Sequence, residues 1–220
     1  MIFRIITLFP QMFDSYLSES ILARAIKNKT IVVKFYNPRD FTENKWRRID
    51  RPPYGGGPGL VIEAMPVVSA IATALEDSKK GKTRSARKPA TIIMLSAAAK
   101  QFNNLNAEKI RKGGGDVIII CGRYEGIDAR VKKIFKAKEF AVGNSILTGG
   151  EVPAMALVDA ISRRIPGVLG NIDSIEENRA ASSDVYTRPE VFVYKGKKYK
   201  VPKVLFTGNH RKIEEWRSSN

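Results

Sequence analysis

Along this chain, short runs of β-branched and aliphatic residues alternate with stretches whose apolar residues recur at helical spacing. Phe3–Leu8, Thr30–Tyr36, Thr91–Leu95, Val117–Cys121 and Glu139–Val142 read as strands. Met12–Lys27 places Phe13, Leu17, Ile21 and Ala25 on one helical stripe, and Met65–Glu76, Leu105–Lys112, Ile127–Phe135 and Val152–Arg163 also read as helices. Strands that alternate with helices predict an α/β fold, a mostly parallel sheet with helices on both faces. No internal repeat interrupts the pattern.

Three stretches break this order. Asn37–Gly59 is polar, then basic, then glycine-rich, and a segment of that length in a compact domain is expected to touch a ligand. Asp77–Lys88 gathers Lys79, Lys80, Lys82, Arg84, Arg87 and Lys88 with almost no apolar residue, which fits a solvated loop or a nucleic-acid contact. Asn171–Ser183 has no sustained apolar period and reads as a linker. The expected organisation is therefore a domain over 1–170, a linker over 171–183 and a small basic helical region over 184–220.

Composition narrows the partners. Thirty-eight Lys and Arg against 22 Asp and Glu give a net charge of +16, a field that draws and orients a polyanion. Nucleic acid is the leading partner. An acidic membrane surface would respond to the same charge, but no apolar run approaches the roughly 20 residues of a spanning helix. Met1–Pro10 lacks the order of a signal peptide, so a cytoplasmic protein is expected. The lone Cys121 makes no internal disulfide, and with the single His210 it makes no ordinary zinc site. At the end of an apolar strand, Cys121 reads as a core residue.

Candidate chemistry sits in glycine-rich segments between strands and helices. Gly122–Asp128 (GRYEGID) hands an apolar strand over to charged and aromatic side chains, where α/β proteins place ligands. Tyr54, Gly55, Gly56, Gly57, Pro58 and Gly59 bare backbone amides that suit a phosphate or a flat nucleotide. A third segment, Val142–Glu151, again joins a strand to a helix. No Gly-Lys-Ser/Thr follows the first glycine cluster and no GxGxxG opens a helix, so ATP hydrolysis and nicotinamide chemistry lose their best support.

Taken in order, LFPQMF at Leu8, the Asn37–Phe41 turn, YGGGPG at Tyr54, CGRYEGID at Cys121, GNSILTGGEVPAM at Gly143, SRRIPGVLG at Ser162, YTRPEV at Tyr186 and GNHRKIEEWR at Gly208 resemble the bacterial tRNA (guanine-N1)-methyltransferase family, TrmD, over nearly the whole chain. The resemblance implies a SPOUT methyltransferase fold whose sheet domain carries a deep trefoil knot, in a homodimer with active sites at the subunit interface. It implies transfer of methyl from S-adenosylmethionine to N1 of the guanosine immediately 3′ of the anticodon, position 37 of tRNA, with magnesium supporting the reaction. A weakly active or inactive RNA-binding SPOUT dimer and a methyltransferase for another RNA nucleotide are the alternatives.

The same resemblance implies a donor pocket built from Leu95 and Ser96, from Gly122, Tyr124 and Glu125, and from Val142, Gly143, Asn144, Ser145, Ile146, Leu147, Gly149 and Gly150 with Pro153. Arg163 takes the role of the arginine that supports guanine O6. The proposed catalytic aspartate of the linker falls on Asn178, which cannot accept a proton, leaving Glu177 as the favoured base and Asp184 as the other. Trp46, flanked by Lys45, Arg47 and Arg48, is a candidate for stacking on RNA, together with Arg188, Asn209 and His210 of the YTRP and GNH motifs. His210 is read as a helix cap or a backbone contact. Two further departures from the family are Ser96-Ala97-Ala98-Ala99 in place of Ser-Pro-Gln-Gly, and an ending soon after the Trp216 helix.

Overall fold

The computed structural model describes residues 1–80, 88–170 and 184–219. The chain divides into two compact units, Met1–Gly170 and Asn171–Asn220.

In the first unit, five parallel strands form one sheet: β1 (Ile2–Ile6), β2 (Val32–Tyr36), β5 (Thr91–Leu95), β6 (Val117–Ile120) and β7 (Lys138–Phe140), in the spatial order β2-β1-β6-β5-β7. The central β6 is buried throughout, as its unbroken Val-Ile-Ile-Ile run requires when helices cover both faces. Successive side chains of β6 feed opposite cores. Val117 and Ile119 join Phe3, Phe13, Leu157 and Ile161, whereas Ile118 and Ile120 join Ile49, Val67, Ile71 and Val131. The helices are α1 (Asp14–Leu17), α2 (Ser20–Lys27), α3 (Ala64–Lys79), α4 (Asn104–Gly113), α5 (Ala129–Phe135) and α6 (Glu151–Ser162).

The expected long helix over Met12–Lys27 is broken. A 3-10 turn at Pro10–Phe13 leads into α1, and Ser20 starts α2 with φ of +55°. The break re-phases the second segment. Leu22 and Ala25 enter the core while Ile21 remains at the surface, so the single stripe expected from spacing does not form.

Asn37–Gly59 is structured. It holds a 3-10 turn at Pro38–Phe41, initiated by Asn37, and one strand of a small hairpin, β3 (Asp50–Arg51) with β4 (Val61–Ile62). The expected basic loop over Asp77–Lys88 begins inside α3, and its residues 81–87 lie outside the described residues.

The second unit contains an antiparallel hairpin, β8 (Val191–Tyr194) with β9 (Lys197–Lys200), a 3-10 turn at Lys203–Phe206, and α7 (His210–Ser219). The expectation of a helical region holds for α7 only. The hairpin signal was present in Val191–Tyr194 and in the Lys195-Gly196 turn, whose φ values of +49° and +74° are those of a tight two-residue connection.

Candidate active site

The carboxyl ends of three neighbouring strands, β6, β5 and β7, open into a cleft of about 350 Å³. That end of a parallel sheet is where ligands bind, and the volume suits a small molecule. The cleft brings together Leu95, Ser96, Gly122, Tyr124, Glu125, Val142, Gly143, Ser145, Ile146, Leu147, Gly149, Gly150 and Pro153, every expected donor-site residue except Asn144. Met94, Ala97, Arg123, Phe140 and Thr148 also line it.

Hydrogen bonds, most of them between backbone groups, lace the three loops together. Ser96 N donates to Phe140 O (3.1 Å), Phe102 N to Ala141 O (2.8 Å), and Gln101 Nε2 to Gly143 O (3.0 Å). The Ser96–Ala99 turn closes by a 3.2 Å bond from Ala99 N to Ser96 O. The turn thus forms without the proline and glycine usual there.

Gly150 N donates to Gly122 O (2.9 Å), and a Cβ on Gly150 would stand 2.8 Å from Cys121 Cα. Because that neighbour is backbone, only glycine permits this approach. Cys121 lies beneath, buried as expected. Burial pushes its thiol pKa up, with the Glu151 charge adding to the effect, which keeps it a protonated core residue.

Sequence reading missed the ion pair that fixes this cleft. Glu151 is fully buried at the start of α6, and Arg123 Nε lies 2.9 Å from its Oε2, in contact but not aligned as a hydrogen bond. Thr7 Oγ1, just beyond β1, donates to Glu151 Oε1 (2.8 Å). Arg123 also donates to Thr148 O (3.2 Å) and its guanidinium lies over the Phe9 ring at 4.7 Å. One arginine thereby joins the loops after β1, β6 and β7. The only signal in the sequence was two opposite charges inside otherwise glycine-rich motifs.

The Tyr54–Gly59 loop connects β3 to β4 and borders the cleft. Ile62 N donates to Gly126 O, Asp128 N to Ile62 O, and Glu125 N to Leu60 O, each at 3.0 Å. Gly59, with φ of +79°, lies so close to Glu125 that a Cβ would stand 2.6 Å from its Oε1. Tyr54 is fully exposed at the hairpin tip. Nearby, Asn44 Oδ1 accepts from Trp46 N (2.9 Å), holding Trp46 at the surface, 80% exposed, in an open hollow with Arg39, Arg48 and Asp50.

Arg163 does not reach this cleft within its own chain. It follows the last residue of α6, whereas Gly150 and Pro153, which line the cleft, lie at the start of that helix; twelve residues of helix are roughly 18 Å. Glu177 and Asn178 lie outside the described residues. In the second unit, Asp184 is exposed, with a carboxylate oxygen 3.5 Å from Tyr186 OH, and Arg188 is exposed. Asn209, not His210, caps α7: its Oδ1 accepts from Lys212 N (3.2 Å), and His210 is the exposed first residue of the helix.

Among the described residues no three His, Cys, Asp or Glu side chains gather to hold a metal ion, and no helix is long and apolar enough to cross a membrane. Beside the cleft, Phe9 and Met12, both in contact with Arg123, and Tyr16 stand exposed, as does Val152 of α6, and Tyr16 OH donates to Asp159. That bond pushes the Tyr16 pKa up to about 12.

The family model described as tRNA (Guanine-1)-methyltransferase TrmD matches residues 1–220. A tRNA (guanine-N(1)-)-methyltransferase of Photobacterium profundum is 42% identical over 217 residues, covering 97% of this chain and 82% of the relative. One from Alkaliphilus oremlandii is 41% identical over 221 residues, covering 99% and 86%. The crystal structure of tRNA (m1G37) methyltransferase from Aquifex aeolicus superposes with a TM-score of 0.74 at 32% identity, covering all of this chain and 88% of that one. With its cleft at the strand ends and its motifs in family order, the chain belongs to the tRNA (guanine-1)-methyltransferase TrmD family.

Proposed function

We propose that this protein transfers a methyl group from S-adenosylmethionine to N1 of the guanosine immediately 3′ of the anticodon of tRNA, in the cytoplasm. The observation that carries the reading is the cleft itself. Its laced loops, backbone amides and carbonyls, and bordering glycine hairpin suit a bent nucleoside ligand beside a flat base.

The donor supplies a methyl already activated on a sulfonium, so the protein's tasks are alignment and removal of the N1 proton. The loops after β5, β6 and β7 hold the donor, while Gly55–Gly59 admits the guanine. As the N1–CH3 bond forms, the N1 proton passes to a carboxylate and negative charge on O6 is met by Arg163. S-adenosylhomocysteine leaves. Glu177 is the proposed base, since the family position is Asn178, and Asp184 is the next candidate. No step is assigned to magnesium, because no residues among those described gather to hold it.

The position of Arg163 favours a site made by two chains. The far end of α6 serves a second copy's cleft in a homodimer, formed through the exposed Phe9, Met12, Tyr16 and Val152. The return of Gly150 against Cys121 fits the family's deep trefoil knot. In this reading residues 1–170 perform the chemistry, 171–183 link, and 184–220 grip RNA with Arg188, His210 and the lysines.

The test is transfer of labelled methyl from S-adenosylmethionine to tRNA transcripts carrying G or A after the anticodon, with magnesium present. Methyl on N1 of that G, absent with A, is the expected product. Donor and tRNA binding without transfer would instead mark Asn178 as a lost catalytic step and the chain as an RNA-binding dimer. Glu177→Gln should abolish single-turnover methylation; an unchanged rate would move the role to Asp184.

A further inference from the structure

The β8–β9 hairpin exposes three aromatic rings on one face. Phe192 pairs across the strands with Tyr199, and Tyr194 with Lys197, so these four side chains share that face; Val191, Val193, Lys198 and Lys200 share the other. Phe192, Tyr194 and Tyr199 are 55%, 58% and 41% exposed. The Phe192 and Tyr199 rings stack at 5.3 Å with planes only 14° apart. Lys197 Nζ lies 5.5 Å from the Tyr199 ring centre and Lys195 Nζ 5.5 Å from that of Tyr194.

Charge selects the occupant. Between Val191 and Lys203 the chain has five lysines and no carboxylate side chain. A second copy of the hairpin would bring like charges together, whereas a polyanion would release its counterions. Flat rings beside lysines match unpaired nucleotides, whose bases stack on aromatic faces while their phosphates meet the ammonium groups. A paired helix keeps its bases inside and offers only phosphates.

We infer that the Phe192, Tyr194 and Tyr199 face is a stacking platform for unpaired bases of the RNA substrate, with Lys195 and Lys197 holding the adjoining phosphates. The inference rests on the tRNA methylation proposed above. It assigns the second unit a base-contacting role in addition to attraction by charge.

Full-length protein is titrated with a tRNA transcript and with a fully paired RNA of equal length over a series of salt concentrations. The variant F192V/Y194V/Y199V keeps strand-forming residues but removes the rings. Its affinity for tRNA should fall by roughly tenfold or more, with an unchanged salt slope and unchanged duplex binding. The variant K195A/K197A should lose up to about 1.4 from the salt slope. Wild-type protein irradiated with bound tRNA should crosslink at Phe192, Tyr194 or Tyr199, a readout that needs no substitution. Ring-free protein that binds tRNA as wild type does, or that loses tRNA and duplex equally, would overturn the inference. So would crosslinks confined to other residues. In the first of these cases continued methylation leaves the proposed function standing, whereas wild-type protein that neither binds nor methylates tRNA removes both.

Discussion

The cleft region of the Met1–Gly170 unit and the hairpin region of the Asn171–Asn220 unit treat charge and burial in opposite ways. Around the cleft, a fully buried glutamate meets an arginine between interlaced loops, and glycines bring backbone against backbone. In the second unit, none of the described residues is buried, and lysines and aromatic rings face outward. The difference matches the two tasks proposed for these regions. Methyl transfer needs reacting atoms held in line, which rigid and dry surroundings provide. Gripping RNA needs a positive field and open ring faces, which burial would remove.

Breaking the buried pair should separate the regions most strongly. Glu151→Ala leaves Arg123 without its compensating charge, a change that costs roughly 3–5 kcal/mol. The thermal midpoint of the first unit should fall by roughly 6–20 °C in calorimetry. Gly150→Ala is the next in size. Its Cβ meets Cys121 Cα, and relief of that clash should cost about 1–3 kcal/mol and loosen S-adenosylmethionine binding in a calorimetric titration.

In the second unit a large aromatic deletion should matter less. Trp216→Ala removes a half-buried ring 6.0 Å from that of Tyr186, an aromatic pairing worth about 0.5–1.5 kcal/mol beyond the area it covers. Donor binding, measured in the same titration, should not change.

The smallest effect is acid-dependent. Arg111 hydrogen-bonds Glu108 on α4 and holds its pKa down at about 2, from an ordinary 4.5. A folded pKa below the unfolded one means stability that is complete above pH 4.5 and lost as pH falls toward 2. Glu108→Gln should therefore flatten the acid-denaturation profile within that window, by about 0.5 kcal/mol for a pair so near the surface.

The sheet was legible because its signal is local. Apolar runs such as Thr91–Leu95 and Val117–Cys121 became strands at or within one residue of the expected bounds. The cleft loops were legible through motif order, and of the residues expected to hold the donor all but Asn144 line one cleft. What stayed hidden depended on distant residues or on single backbone torsions. Thr7, Arg123 and Glu151 are far apart in sequence, and only the crossing of three loops brings them together. The break before α2 rests on the positive φ of Ser20, a residue that carries no strong turn signal. The β8–β9 hairpin was obscured by lysines that read as part of a small basic helical region, although Lys195-Gly196 marked its turn.

The placement of Arg163 at the end of α6 remote from the cleft makes assembly from two chains the central claim. Mixing two inactive variants tests it most directly: Arg163→Ala, which keeps the cleft, and Gly122→Val, which blocks it. After exchange of subunits, half the dimers are mixed, and each then has one site with an intact cleft and an intact arginine. Methylation of tRNA should return to about a quarter of the wild-type rate, in proportion to those sites. A mixture as inactive as its parents, although exchange is demonstrated by native mass measurement, would mean that Arg163 serves the cleft of its own chain and would contradict the shared site.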